Sequence, residues 1–125
     1  MNIFGKVIKG LNIGKKIGYP TINLETKTDQ NIDFGIYICK IKINNNLYKG
    51  VVHYGTKSIG TSDPDKIFCE AHILDFNNEI YNQEVEIKLL KKIRDVRKFK
   101  SEDELKKQIA KDIKITNKYF NAEQI

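Results

Sequence analysis

The chain has 125 residues and a formal net charge of +6, with 22 Lys and Arg set against 16 Asp and Glu. Such a length is one domain's worth, enough to bury a core and too short for two ordinary domains, and no apolar run approaches the roughly 18 residues that a membrane-spanning helix needs. The positive balance favours an anionic partner, which includes a nucleic acid, an acidic membrane surface and a phosphorylated small molecule, without choosing among them. Met1 leads into a mixed segment that lacks the basic, apolar and small-residue succession of a signal peptide. Cys39 and Cys69 fall inside apolar, strand-like runs without CxxC spacing, so they read as buried thiols of a reducing compartment, and the protein reads as cytoplasmic.

In chain order, residues 2 to 9 ("NIFGKVIK") alternate loosely and are rich in β-formers until Gly10 interrupts them, which predicts a first strand running into a loop. The stretch "GKKIGYPTINLE", 14 to 25, is neither a good helix nor an uninterrupted strand. Its glycines open backbone conformations closed to other residues, while Pro20 fixes its own φ and pushes Tyr19 towards extended geometry. A strand at 35 to 43 ("GIYICKIKI") ends at three asparagines, 44 to 46, which signal a hairpin into a strand at 47 to 55. Residues 56 to 66 ("TKSIGTSDPDK") read as a surface loop. Residues 66 to 76 and 83 to 93 read as a further pair of strands, the latter from Val85, Ile87 and Leu89 alternating with Glu84, Glu86 and Lys88. The period then changes. Ser101 with Glu104 forms a capping box, and Leu105, Ile109 and Ile113 follow at four-residue steps with Lys106, Lys107, Lys111 and Lys114 off that line, which predicts one amphipathic helix. Five or six short strands and a closing helix, without βαβ alternation or repeats, predict a mainly β domain over 1–125: a small antiparallel barrel or sandwich with the helix packed on it.

Three places could carry chemistry. Lys15 and Lys16 between Gly14 and Gly18 can bring backbone N–H and ammonium groups against phosphate oxygens, although the spacing is that of neither a P-loop nor a dinucleotide fingerprint, and a solvated turn satisfies the same residues. Thr21 and Asn23, two apart in an extended segment, point to one side and offer two neutral oxygens. Mg2+ takes much of its octahedral shell from water and nucleotide phosphates, so two protein ligands are enough; the bland alternative is that both merely support the turn after Pro20. Glu70 stands in the otherwise apolar run "IFCEAHIL", sharing its side with Phe68, His72 and Leu74, so its carboxylate is expected at the barrel interior or its rim unless it is an ordinary edge glutamate facing water. A carboxylate near a phosphate and a metal can accept the proton of an attacking hydroxyl. His72 reads as a packing residue, since only the distant His53 accompanies it.

Taken in order, "GKVIKG", "GKKIGYPTINLE", "GIYICKI", "YKGVVHYGT", "CEAHILDFNNEIY" and "KKIRDVRKFKSEDELKKQIAKD" resemble a riboflavin kinase of the bacterial and eukaryotic type, over about residues 5 to 113. The family's Gly-Phe-Pro-Thr-x-Asn is similar to Gly18, Tyr19, Pro20, Thr21, Ile22, Asn23, and its Glu-x-His-Leu-x-Asp-Phe strand to Glu70 through Phe76. The resemblance implies a six-stranded antiparallel Greek-key barrel with a C-terminal α-helix, transferring the γ-phosphoryl group of ATP to the 5′-hydroxyl of riboflavin and giving FMN. By that resemblance Gly14, Lys15, Lys16, Gly18, Pro20 and Thr21 bind ATP, Thr21 and Asn23 hold Mg2+ or another divalent cation, Glu70 is the base, and Arg94, Phe99 and Leu105 cover the flavin. The partners implied are the small molecules ATP and riboflavin, with a monomeric protein that binds neither nucleic acid nor membrane. The alternatives are a relative that holds flavin without transferring phosphate and a basic barrel that binds single-stranded nucleic acid.

The sequence departs from the family pattern in several places. Gly55, Thr56, Lys57, Ser58, Ile59 and Gly60 stand where many relatives carry Gly-x-Arg/Asn-Pro-Thr-Phe, which puts contacts from that loop in doubt. His53 stands near a frequent Asn, Asn82 replaces a glycine, and Lys15 replaces an Arg, keeping the charge without the bidentate fork. Many bacterial relatives are fused behind a nucleotidyltransferase domain that converts FMN to FAD. The present sequence is therefore expected to be either a stand-alone kinase or a piece of such a chain.

Overall fold

A computed structural model describes residues 1–8, 18–26, 31–56, 66–76, 80 and 82–123. Six strands, β1 (Asn2–Ile8), β2 (Ile22–Thr26), β3 (Gly35–Ile43), β4 (Asn46–Thr56), β5 (Ile67–Ile73) and β6 (Glu84–Arg94), precede one helix, α1 (Glu102–Glu123). The strands close into a barrel in the order β1-β2-β5-β4-β3-β6, with every neighbouring pair antiparallel. The chain crosses over between β2 and β3 and again between β5 and β6, as expected for a Greek key. Closure removes the unpaired edges that an open sheet would expose.

Alternation decides the faces. Ile3, Val7, Ile22, Leu24, Cys39, Ile41, Ile43, Val52, Cys69, Ala71, Ile73, Val85 and Ile87 fill the interior. Their neighbours along each strand point outward. The β3–β4 hairpin turns on Asn44 and Asn45, with φ of 49° and 69°. Both central residues thus take the left-handed conformation that a two-residue turn of right-twisting strands requires, and asparagine supplies it in place of the usual Asn-Gly. At the end of β5, Asp75 with φ of 57° breaks the extended chain, so the strand stops at Ile73 rather than at 76.

A second apolar layer lies outside the barrel. Ile36, Ile38 and Val51 point away from the lumen and yet are buried, together with Phe99, Thr116 and Phe120. α1 covers them. Its N-terminus is capped as the sequence predicts: the Glu104 backbone N–H donates to Ser101 Oγ at 3.2 Å, while Glu104 Oε2 accepts from the Lys100 N–H at 3.3 Å, one residue earlier than in the standard box. Leu105, Ile109 and Ile113 are half-buried as expected, but the line closest to the barrel is Asp112, Thr116 and Phe120. Among the described residues, no helix is long and apolar enough to cross a membrane.

Both cysteines are free and buried, as the spacing predicts. Burial pushes the Cys69 thiol up from 9.0 to about 12, and the Cys39 thiol higher still. The unfolded chain therefore loses these protons at a lower pH than the folded one. The stability they confer is complete below the ordinary thiol value and lost as pH rises towards the folded value. Chemical denaturation between pH 9 and pH 12 is expected to show a falling midpoint, and replacing both cysteines with Ala should flatten that part of the profile. An unchanged slope in the double variant would assign the alkaline loss to other groups.

Candidate active site

The site is built on the outer face of the barrel, and the strand register assembles it. Asn23 on β2 lies directly opposite Glu70 on β5, and Glu70 lies directly opposite His53 on β4. Directly opposed residues have Cβ atoms about 4.5–5.5 Å apart. Because Leu24, Cys69 and Ala71 point inward, the intervening Asn23 and Glu70 share the outer face. The expectation of Glu70 inside the barrel is thereby corrected. Its strand is apolar because Cys69, Ala71 and Ile73 fill the lumen, while Glu70 and His72 alternate with them on the outside. Glu70 is nonetheless half-buried, and its Oε1 is out of contact with solvent.

Thr21 immediately precedes β2, on the strand side shared by Asn23. The chain entering it is held from β5. His72 Nδ1–H donates to the Pro20 carbonyl oxygen at 2.8 Å, and the Tyr19 ring meets the imidazole edge-on at 5.8 Å. His72, expected only to pack, is thus the side chain that fixes the Pro20-Thr21 segment beside Glu70. No sequence signal distinguished it from a packing histidine, since its partner is a backbone carbonyl 52 residues away. Gly18, with φ of +93°, takes a conformation that L side chains rarely adopt, which accounts for a glycine where the loop turns into the Tyr19-Pro20 segment. Gly14, Lys15 and Lys16 lie outside the described residues, as do residues 57–65 of the long loop.

His53 is locked on the other side of Glu70. Its Nε2–H donates to the Thr56 carbonyl at 2.7 Å, which fixes the ring's orientation. The lateral row continues past it, because His53 pairs with Ile36 and Ile36 with Arg94 on β6. Arg94 therefore sits on the same belt as Glu70, three strand spacings or about 14 Å around the barrel. Its guanidinium grips Asp112 of α1 at 2.9 Å through both Nε and Nη2. Phe99, in the loop that follows, is buried, with the guanidinium carbons of Arg94 at the end of β6 and of Arg97 in the loop 5.9 and 4.7 Å from its ring centroid. Leu105 stands half-buried in the first turn of α1, its backbone N–H on the Ser101 carbonyl. Asn23 and Glu70, with Thr21 two residues before Asn23, thus lie at one end of the belt, and Arg94 with Phe99 lies at the other.

The donor set at the first end suits a hard cation. Thr21 and Asn23 offer neutral oxygens, and Glu70 adds a carboxylate facing Asn23. No group of three or more His, Cys, Asp or Glu side chains able to enclose a metal occurs among the described residues, so a cation here would take the rest of its shell from water and from an anionic substrate.

The riboflavin kinase family profile matches residues 1–120. The chain is 39% identical over 121 residues to a bifunctional riboflavin kinase/FMN adenylyltransferase of Buchnera aphidicola from Schizaphis graminum, a match covering 96% of this chain and 39% of that protein. It therefore spans well under half the length of this curated relative. Among solved structures, one described as a macrolide-efflux protein from Streptococcus pneumoniae superposes with a TM-score of 0.81 at 32% identity, covering 93% of this chain and 38% of that one. A riboflavin kinase from Trypanosoma brucei superposes with a TM-score of 0.65 at 20% identity, covering 98% and 81%, and so shares the barrel-and-helix fold. With a family profile that covers nearly every residue and a barrel that matches in both sequence and shape, the chain belongs to the riboflavin kinase family.

Proposed function

We propose that the chain is a Mg2+-dependent riboflavin kinase, transferring the γ-phosphoryl group of ATP to the 5′-hydroxyl of riboflavin and releasing FMN and ADP. The observation that carries this is the direct pairing of Asn23 with Glu70, with Thr21 at the start of the same strand. Glu70 accepts the proton of the 5′-hydroxyl as its oxygen bonds to the γ-phosphorus and the bond to the β–γ bridging oxygen breaks. A half-buried carboxylate directly opposite Asn23 is suited to that role, because it stands beside the residues that would hold the cation.

Thr21 and Asn23 would hold the cation, which when bound offsets charge on the terminal phosphates. The protein's own task is alignment. His72 holds the Pro20 carbonyl and so presents Thr21, and the β2–β5 pairing fixes Asn23 against Glu70, while Lys15 and Lys16 of the sequence supply positive charge for the phosphates. Phe99 and Leu105, with the loop before α1, cover the flavin ring.

The deciding experiment is product analysis after the protein is mixed with riboflavin and MgATP alone. Equimolar FMN and ADP, both abolished by EDTA, are expected. Flavin binding without ADP would identify a non-catalytic relative, and salt-sensitive oligonucleotide binding without flavin binding would identify a nucleic-acid module.

A further inference from the structure

The Arg94–Asp112 pair does more than its place in a flavin site requires. Asp112 is 3% exposed, in the middle of a helix that carries the exposed Lys106, Lys107, Lys111, Lys114 and Lys118. Its carboxylate accepts from Arg94 Nε and Nη2 at 2.9 Å each and from Gln108 Nε2 at 3.0 Å. Arg94 Nη1 donates in turn to the Asp95 carbonyl at 3.1 Å. All three guanidinium nitrogens are therefore engaged within the chain, and the fork is turned towards the helix rather than offered to a ligand. Thr116 Oγ1 donates to the Asp112 carbonyl at 2.7 Å, holding that turn from below.

We propose that Asp112, acting through Arg94, is the positioning residue that sets the flavin-covering loop against the barrel. The proposal rests on the kinase reading for the identity of the ligand. Apolar contacts such as Ile38, Val51 and Phe120 let a helix slide or rotate with small penalties, whereas a bidentate pair has one geometry. The clasp joins the last residue of β6, the Asp95 carbonyl that opens the loop and the middle of α1. The Phe99 ring lies beside the clasp, its centroid 5.9 Å from the Arg94 guanidinium carbon, so a shift of Arg94 is felt by the loop that carries it. The Lys92–Asp95 pair at 2.7 Å is exposed and adds little restraint. Asp112 therefore acts on riboflavin and not on ATP, whose phosphates belong to the Thr21–Asn23 end of the belt.

The test compares Asp112→Asn and Asp112→Glu in the full chain, with Arg94→Lys as a milder break should Asp112→Asn fail to fold. Asp112→Asn is expected to weaken riboflavin binding, read by quenching of flavin fluorescence, by at least about tenfold and to raise the riboflavin KM in step, with the ATP KM within about twofold. Asp112→Glu should recover part of the loss. Phe120→Leu, at the far end of the same interface, should lower the thermal midpoint without changing flavin affinity. A thermal loss in Asp112→Asn with flavin affinity within about twofold of wild type, or equal rises in both KM values, would overturn the proposal. If wild-type protein binds flavin but forms no ADP, the kinase reading fails alone, because quenching still reads the clasp.

Discussion

Replacing Glu70 with Gln is expected to lower turnover by about 10² or more while leaving the thermal midpoint nearly unchanged. Glutamine keeps the size of the side chain and one acceptor oxygen, so the β5 register with Asn23 and His53 survives, and only the ability to take a proton is removed. The loss should appear in kcat, measured at saturating riboflavin and MgATP, because a group that acts on the hydroxyl proton during transfer contributes mainly at the transition state. Raising pH should restore little if Glu70 is the base, since free hydroxide lacks the fixed position that a side chain on β5 has. A decrease of less than a few-fold would remove Glu70 from the role and leave the carboxylate as support for the cation site.

Ile38→Ala is expected to destabilise the protein by about 2–5 kcal/mol, as much as Ile41→Ala, measured by urea denaturation of the two variants side by side. Both side chains are fully buried, but on opposite faces of β3: Ile41 fills the lumen and Ile38 lies under α1. Equal costs would mean that the helix encloses a second core of the same quality as the first. A cost for Ile38→Ala below about 1 kcal/mol, with the Ile41→Ala cost intact, would instead describe a loosely resting helix that unfolds ahead of the barrel.

The same two-sided burial explains where the sequence was hard to read. In "GIYICKIKI" both faces carry apolar residues, since the outward Ile36 and Ile38 come first and the inward Cys39, Ile41 and Ile43 follow. Such a run announces a strand without saying which face is which. Glu70 suffered from the same ambiguity: its neighbours on both sides are core residues, and only the pairing with β2 and β4 reveals that it is outside. β2 itself was legible only as an extended segment, because five residues bounded by Pro20 and a polar stretch carry too little alternation to stand out. The tail was clearest, because the Ser101–Glu104 cap and the four-residue spacing are local signals. The Arg94–Asp112 and His72–Pro20 contacts depend on chain segments 18 and 52 residues apart, and no short-range pattern announces either.

The pairing of Asn23 with Glu70 makes the site unusually sensitive to changes in chain length. Loss or gain of one residue between Ile67 and Cys69 would shift β5 against both its neighbours, turning the carboxylate into the lumen and a core side chain out to water. Chemistry and hydrophobic packing would be lost in the same event, with no partly active intermediate. Divergence along this strand can therefore proceed freely by exchange of side chains, whereas a change of length must be absorbed in the connections at either end or in a bulge of the kind that β3 already makes against β6.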